Sequence, residues 1–435
     1  MQIFALGFAL LILIGGVLLS LPISNRDNVG IPLLNGIFTA ASSTCVTGLV
    51  LYDTWTQFSY FGQAVILLLI QIGGLGFMAV IVLFSLVIGK RIGLRERTLI
   101  AESVSAAQVG GVVRLVRRAL IGTAIFEGTG VLLLASRFIP QFGIGKGIWF
   151  SIFHSVSAFC NAGFDLMGIR DPFSSLTTLY NDPVVILTIG GLIIVGGIGF
   201  MVWNDLVENR FKYGKLRLHT RVVLPATLAI LLAGTVAFIL LESNGEIGSM
   251  NMGDSILSAF FQSVTPRTAG FNSVDLASLS DGSKFVTMLL MFVGAAPGGT
   301  GGGVKITTLV VIMAAVFAQL KAREDVTLGH SRIDPETLRR AFCGVAIYLT
   351  MTVAGVLTLC AQGQPFTDSV FECLSAIGTV GLTTGITRSL PALSRVVIIL
   401  LMYAGRVGGL TLFTAVAQSN NGSKIRHPIA RIIVG

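Results

Sequence analysis

Charge is what this 435-residue chain has least of: 12% of its residues are Asp, Glu, Lys or Arg, against 53% in the hydrophobic set. Soluble domains carry roughly a quarter charged residues, and a water-soluble fold cannot hide so large an apolar fraction. Histidine is scarce, with four copies, and the five cysteines, at 45, 160, 343, 360 and 373, form no Cys-x-x-Cys pair and no Cys/His ligand spacing. That excludes a structural zinc site and a disulfide framework. The chain has no His-Glu-x-x-His and no Gly-x-Ser-x-Gly, so intramembrane catalysis has no recognised motif to carry it. No enzyme is expected. Residues 1–21 lack a basic n-region and a small-residue cleavage motif, and read as a first spanning helix rather than a signal peptide.

What the chain does have is long apolar runs, at 63–88, 184–202, 285–293 with 306–317, and 396–404. Several reach the ~20 residues that a spanning helix needs. The net charge of +9 would point to nucleic acid or acidic lipid in a soluble protein. Here its placement matters more. Clusters at 90–118, 210–221, 321–340 and 424–431 hold twenty Lys and Arg, while the alternating segments hold eight. The positive-inside bias assigns the clusters to the cytoplasm, and no nucleic-acid partner is expected.

Four segments align without gaps: 37–49, 152–164, 259–271 and 370–382. Each has a Phe ten residues before a Gly, as Phe38/Gly48, Phe153/Gly163, Phe260/Gly270 and Phe371/Gly381, and these glycines are spaced by 115, 107 and 111 residues. A repeat of that regularity decides the fold. In each unit a long apolar helix precedes the segment and another follows it. The short apolar part, such as 33–42 or 369–375, cannot cross a bilayer and must enter and return on one side. Irregular backbone at that depth survives only where protein buries it or where it lines a water-filled cavity. The expected fold is therefore an all-α integral membrane protein. It has four tandem helix–pore loop–helix units in pseudo-fourfold arrangement: 1–89, 90–205, 206–320 with an interrupted second helix, and 321–435 with a C-terminal tail.

A dehydrated monovalent cation needs oxygen ligands in place of its water, and rings of backbone carbonyls supply them without fixed negative charge. The expected ion-binding backbone is Thr44, Cys45, Val46, Thr47 and Gly48; Cys160, Asn161, Ala162 and Gly163; Arg267, Thr268, Ala269 and Gly270; and Gly378, Thr379, Val380 and Gly381. The terminal Gly permits positive φ, which helps neighbouring carbonyls point one way. Four short helices aiming their C-terminal ends at the centre would favour a cation there. The aligned Phe residues are read as packing anchors. Arg267 is read as pointing behind the filter, and His154 as a packed, hydrogen-bonded residue.

The second helix of unit three is broken by Gly294, Ala295, Ala296, Pro297, Gly298, Gly299, Thr300, Gly301, Gly302 and Gly303, followed by Val304 and Lys305. Such a run cannot continue a regular helix. With no preceding strand and no Gly-Lys-Ser/Thr ending, it is not a phosphate cradle. Milder glycine groups occur at 73–76, 196–199 and 405–409, where close helix packing is the default reading. Arg406 is a charge inside an apolar helix and should face a partner or a water-filled cavity. It is expected beside the broken segment, either as an electrostatic barrier or as a tie to loop carbonyls. Lys305 is expected near the cytoplasmic vestibule.

These motifs, with Gln71-Ile-Gly-Gly-Leu-Gly-Phe77, Val264 through Asn272 and Phe371 through Leu382, resemble the membrane subunits of the Trk/Ktr/HKT superfamily of potassium transporters, most of all the bacterial KtrB type. The resemblance covers essentially the whole chain. It implies eight spanning helices with both termini cytoplasmic in the bacterial plasma membrane, and residues 294–303 as an intramembrane gate with Lys305 and Arg406 beside it. It also implies potassium as the transported ion, with Gly48 marking potassium selectivity and sodium as a coupling or activating ion. No organic cofactor is expected. The implied partners are membrane lipid, a second copy in a homodimer, and a cytosolic RCK-type nucleotide-binding ring of the KtrA/KtrC kind, docked on loops 90–118, 206–222 and 321–340 and the C-terminal tail. The alternatives are a sodium-conducting or poorly selective cation transporter of the same fold, and a secondary solute transporter. Four units in one orientation argue against the inverted halves of the last.

Overall fold

The computed structural model describes residues 2–76, 112–329 and 331–408. Lys90, Arg91, Arg95, Arg97, Phe77, Gly409, Lys424, Arg426 and Arg431 lie outside them, as do the parts of the expected docking surfaces that hold these basic residues. Regular structure among the described residues is helical apart from one hairpin, β1 (Thr327–Leu328) with β2 (Ser331–Arg332).

The first two helices, α1 (Gln2–Ser20) and α2 (Leu33–Thr44), are followed by the single turn α3 (Thr54–Gln57) and by α4 (Tyr60–Leu75). Next come α5 (Val112–Phe142), α6 (Ile144–Phe159), α7 (Pro183–Ile198) and α8 (Phe200–Glu208). The third group is α9 (Leu218–Leu241), α10 (Met252–Val264), α11 (Asp281–Phe292) and α12 (Ile306–Leu320). The last is α13 (Pro335–Ala361), α14 (Phe366–Gly378) and α15 (Ala392–Val407). The expected unit boundary at 205/206 falls inside α8, whereas that at 320/321 coincides with the end of α12.

Helices α5, α9 and α13 are each long and apolar enough to cross a membrane. The 24 residues of α9 reach about 36 Å at 1.5 Å per residue, more than the ~30 Å of hydrocarbon. Their outer faces are apolar and uncovered, with Leu132, Leu240 and Leu357 at 75%, 69% and 65% exposure. In lipid such faces cost nothing, so α5, α9 and α13 need no second protein layer. Helices α1, α4 and α12 are shorter apolar helices.

The helices after the aligned segments of units one, two and four run up to a glycine with non-helical backbone. α7 and α8 meet at an 87° bend, with Gly199 between them at φ 100° and ψ 141°. Gly76 caps α4 at φ 86°, ψ 137°, and Gly408 caps α15 at φ 91°, ψ 121°. No side chain with a Cβ adopts that backbone cheaply. The second helix of unit two is thus broken, and the described helices of units one and four end on a glycine with the same backbone, where the sequence indicated a decisive break only in unit three. The glycine three residues earlier does what the packing reading proposed: a Cβ on Gly73, Gly196 or Gly405 would collide with the carbonyl of Thr44, Phe159 or Ile377. Each is the end of the short helix in the same unit.

Candidate functional site

The short helices α2, α6, α10 and α14 run from an exposed N-terminal turn into a fully buried C-terminal one. Phe38, Phe153 and Phe371 are fully buried on them, and Phe260 is part-buried with Phe261 taking the buried place. Past the end of each helix the backbone repeats one figure. Val46, Asn161, Thr268 and Thr379 have φ of 58°, 61°, 75° and 52°, and the glycines two residues on, Gly48, Gly163, Gly270 and Gly381, have φ of 97°, 69°, 80° and 92°. A β-branched residue at positive φ, as at Val46, is a genuine outlier that persists only where its surroundings over-determine it.

Hydroxyls do the determining. Gly48 N donates to Ser42 Oγ and Gly381 N to Ser375 Oγ, both at 3.0 Å. Ser157 Oγ donates to Phe164 O at 2.7 Å and Thr265 Oγ1 to Phe271 O at 2.5 Å. The backbone amides of Thr47, Ala162 and Val380 turn back to Ser42 O, Ser157 O and Ser375 O at 2.8 Å each. With the amides so occupied, the carbonyls of Val46, Thr47, Asn161, Ala162, Thr268, Ala269, Thr379 and Val380 accept no hydrogen bond among the described residues. Buried carbonyls without donors are rare.

The loops close on one another in cyclic order. A Cβ on Gly48 would lie 2.6 Å from Ala162 O, one on Gly163 2.7 Å from Ala269 O, one on Gly270 2.5 Å from Val380 O, and one on Gly381 against Thr47 O. All four glycines line one cavity of about 310 Å³. Its other walls carry Asp53, Asp165, Asp275 and Arg388. Asp165, outside the spanning helices, is part-exposed at the cavity and enclosed on its other sides. Burial, then the neighbouring Asp53 carboxylate, pushes it up to about 7.

On the opposite side lies the glycine-rich segment. Its ends are pinned together by Gly294 N to Val304 O at 2.8 Å, and its middle is bonded to unit two through Ala296 N to Gly197 O and Thr300 N to Gly196 O at 3.0 and 3.2 Å. Gly302 N donates to Thr379 Oγ1 at 3.1 Å. A Cβ on Gly301 would meet the Thr268 side chain, so the segment touches two of the four loops directly. Lys305 Nζ donates to Gly301 O and Gly302 O at 2.7 and 3.3 Å. The Arg406 guanidinium donates to Thr300 O and Gly73 O, and to Gly74 O at 3.1 Å. It thus ties the segment to the C-terminal end of α4. Arg267 is buried, and its Nε finds no hydrogen-bond partner among the described residues.

Three groups escaped the sequence reading. Glu372 on α14 accepts from Thr383 Oγ1 at 2.8 Å and from Thr387 Oγ1. Glu127, in the middle of α5, accepts from Gln71 Nε2 at 3.2 Å; an intramembrane carboxyl needs such a partner. Arg388 stands in the cavity wall. His154 is a buried brace: its Nδ1 lies 2.7 Å from Phe150 O, and its Nε2 accepts from Leu166 N at 3.3 Å, which places the proton on Nδ1.

Residues 16–425 match the family model described as TrkH, cation transport protein. The chain is 41% identical to Ktr system potassium uptake protein B of Bacillus subtilis, over 100% of this chain and 96% of that one. It is 37% identical to potassium/sodium uptake protein NtpJ of Enterococcus hirae, over 100% and 97% of the two chains. The crystal structure of the potassium transporter TrkH from Vibrio parahaemolyticus superposes with a TM-score of 0.73 at 19% identity, covering 95% of this chain and 84% of that one, and shares the fold. Apolar helices, broken glycine-rich spans and a match along almost the whole length lead to one assignment: this integral membrane protein belongs to the TrkH family of cation transport proteins, as a membrane subunit of the Trk/Ktr superfamily resembling KtrB.

Proposed function

We propose that the chain is the potassium-conducting membrane subunit of a multi-component bacterial uptake system serving potassium homeostasis. Ions pass through the ring made by residues 44–48, 160–163, 267–270 and 378–381. The observation that carries this reading is the cyclic contact of the four glycines around carbonyls that accept no hydrogen bond. Carbonyls free of donors can replace a cation's water. In this reading four units surround one pseudo-fourfold axis with eight spans and cytoplasmic termini. Residues 294–303 form the gate, held by Lys305 and Arg406, directly beneath the ring. Sodium is a coupling or activating ion. A homodimer of the chain sits on a cytosolic RCK-type ring of the KtrA/KtrC kind, in keeping with relatives named as parts of a Ktr system. The Enterococcus hirae relative, named a potassium/sodium uptake protein, favours weak discrimination as the second reading.

The test is Gly48→Ser. Serine at φ 97°, with its Cβ 2.6 Å from Ala162 O, carries strain of about 1–3 kcal/mol. That is enough to move relative ion occupancy by roughly tenfold. In a potassium-transport-deficient strain, wild type should restore growth at low potassium, and the variant should lose uptake or take up sodium as well as radioactive rubidium. Equal uptake ratios in the two would sink the filter assignment.

A further inference from the structure

Arg388 lies just after the last of the four loops, where a cation approaching the ring must pass. Its guanidinium is stacked 3.7 Å over the centroid of the Phe173 ring. It makes no ion pair or hydrogen bond among the described residues, although its charge acts on Asp53 and Asp275. Phe173 is itself fixed in an unusual conformation, at φ 62°, by donating its amide to Asp53 Oδ2 at 2.9 Å. The cation is thus held by its face, with its N–H groups uncommitted.

The surrounding carboxylates bond to backbone amides. Asp53 accepts from Thr56 N at 2.9 Å, Asp165 from Met167 N at 2.9 Å and Asp275 from Ala277 N at 3.0 Å. None has an ion-pair partner within 4.0 Å among the described residues. A second, open cavity of about 650 Å³ holds Asp171 and Glu246 and shares Phe173, Asn272, Asp275 and Arg388 with the first. The stacked pair therefore forms the partition between an acidic outer groove and the mouth of the ring.

Asp53 and Asp275 line the mouth, joined by Asp165 as it ionises near neutral pH, and together they attract any cation, a divalent ion twice as strongly as a monovalent one. Hard divalent ions take carboxylate and carbonyl oxygens together, and both kinds of oxygen are available here. Without a compensating charge such an ion would sit on the ring and block it. We infer that Arg388 is a specificity-determining residue which keeps divalent cations out of the mouth, stacked on Phe173 so that its charge is fixed without neutralising any one carboxylate. The inference rests on the transport reading above.

A unit charge some 6 Å from the ion in a water-like medium changes monovalent occupancy by about threefold and divalent occupancy by about tenfold. Because the effect is electrostatic, the divalent factor is the square of the monovalent one. In cells expressing the full chain, Arg388→Gln should lower the KM for rubidium by about threefold at low ionic strength and raise the inhibitory potency of external calcium by about tenfold. Added choline chloride should shrink both effects together. Arg388→Lys keeps the charge and should behave like wild type.

Radioactive calcium binding to the purified full chain gives an independent readout, with the same tenfold gain expected for Arg388→Gln. Calcium binding and calcium inhibition unchanged in Arg388→Gln overturn the inference. So does a Lys variant that matches Gln, which would make Arg388 a structural stack. Wild type that carries neither potassium nor rubidium overturns the transport reading instead, and calcium binding still decides the role of Arg388.

Discussion

Glu372 and His154 occupy the same place in the repeat, nine residues before Gly381 and Gly163, and do the same work with different chemistry. His154 holds the segment after its loop through the Leu166 amide, and Glu372 holds its own through the hydroxyls of Thr383 and Thr387. The corresponding residues in the other units, Thr39 and Phe261, share neither chemistry. An alignment that looks for common residue types passes over such a position, which is why His154 read as a packed residue and Glu372 was missed. Replacing Glu372 by Ala leaves two hydroxyls beside the last loop without their acceptor, at a cost of about 1–3 kcal/mol. The thermal unfolding midpoint of the purified protein in detergent should fall clearly for Glu372→Ala and less for Glu372→Gln, which keeps one acceptor oxygen. Wild-type midpoints for both would mean that the loop is held by packing alone.

The elements after the four loops carry the spacing Gly-x-x-Gly in units one, two and four, at 73–76, 196–199 and 405–408. The first glycine of each pair admits the carbonyl end of the short helix and the second turns the chain out of helix. The sequence made the first role legible, because small residues between membrane helices are expected to pack. It left the second hidden, because a glycine inside an apolar run looks the same whether φ is negative or positive. In unit three the glycine-rich run is so long that no helix could persist, and that break was legible outright. Gly199→Ala and Gly191→Ala separate the two roles. An Ala at Gly199 must adopt φ 100° with its Cβ 2.8 Å from Pro297 O, whereas one at Gly191 meets nothing within 4 Å. Gly199→Ala should destabilise by more than about 1 kcal/mol, while Gly191→Ala should be neutral or stabilise by about 0.4–1 kcal/mol. Thermal unfolding measures both, and equal shifts would remove the case for a required break at Gly199.

At the scale of the molecule, the proposed function asks four units strung along one chain to close into a ring, and the sequence counts the units without saying how the last meets the first. The seam lies between residues with nothing in common in the repeat. Arg395 Nη1 donates to Asn35 Oδ1 at 2.7 Å across 360 residues, and Asn35 Nδ2 donates to Tyr52 OH at 2.7 Å. Tyr403 OH donates to Ala5 O at 2.7 Å, joining α15 to α1. The other three junctions are also linked by continuous chain, so their side-chain contacts add little to what connectivity already imposes. The seam lacks that link; an apolar cluster joining Ile12, Phe38 and Ala41 to Ile398, Leu401 and Met402 spans it, and the polar contacts are directional enough to add the register that brings Gly381 against Thr47. Asn35→Ala, Arg395→Ala and the double variant form a cycle in which the coupling energy should reach about 0.5–3 kcal/mol. The exposed pair Arg118–Glu208, at 43% and 40% side-chain exposure, should couple by at most about 1 kcal/mol. A seam coupling no larger than this surface pair would mean that apolar packing of α15 against α1 and α2 closes the ring, and that the polar contacts follow its register rather than set it.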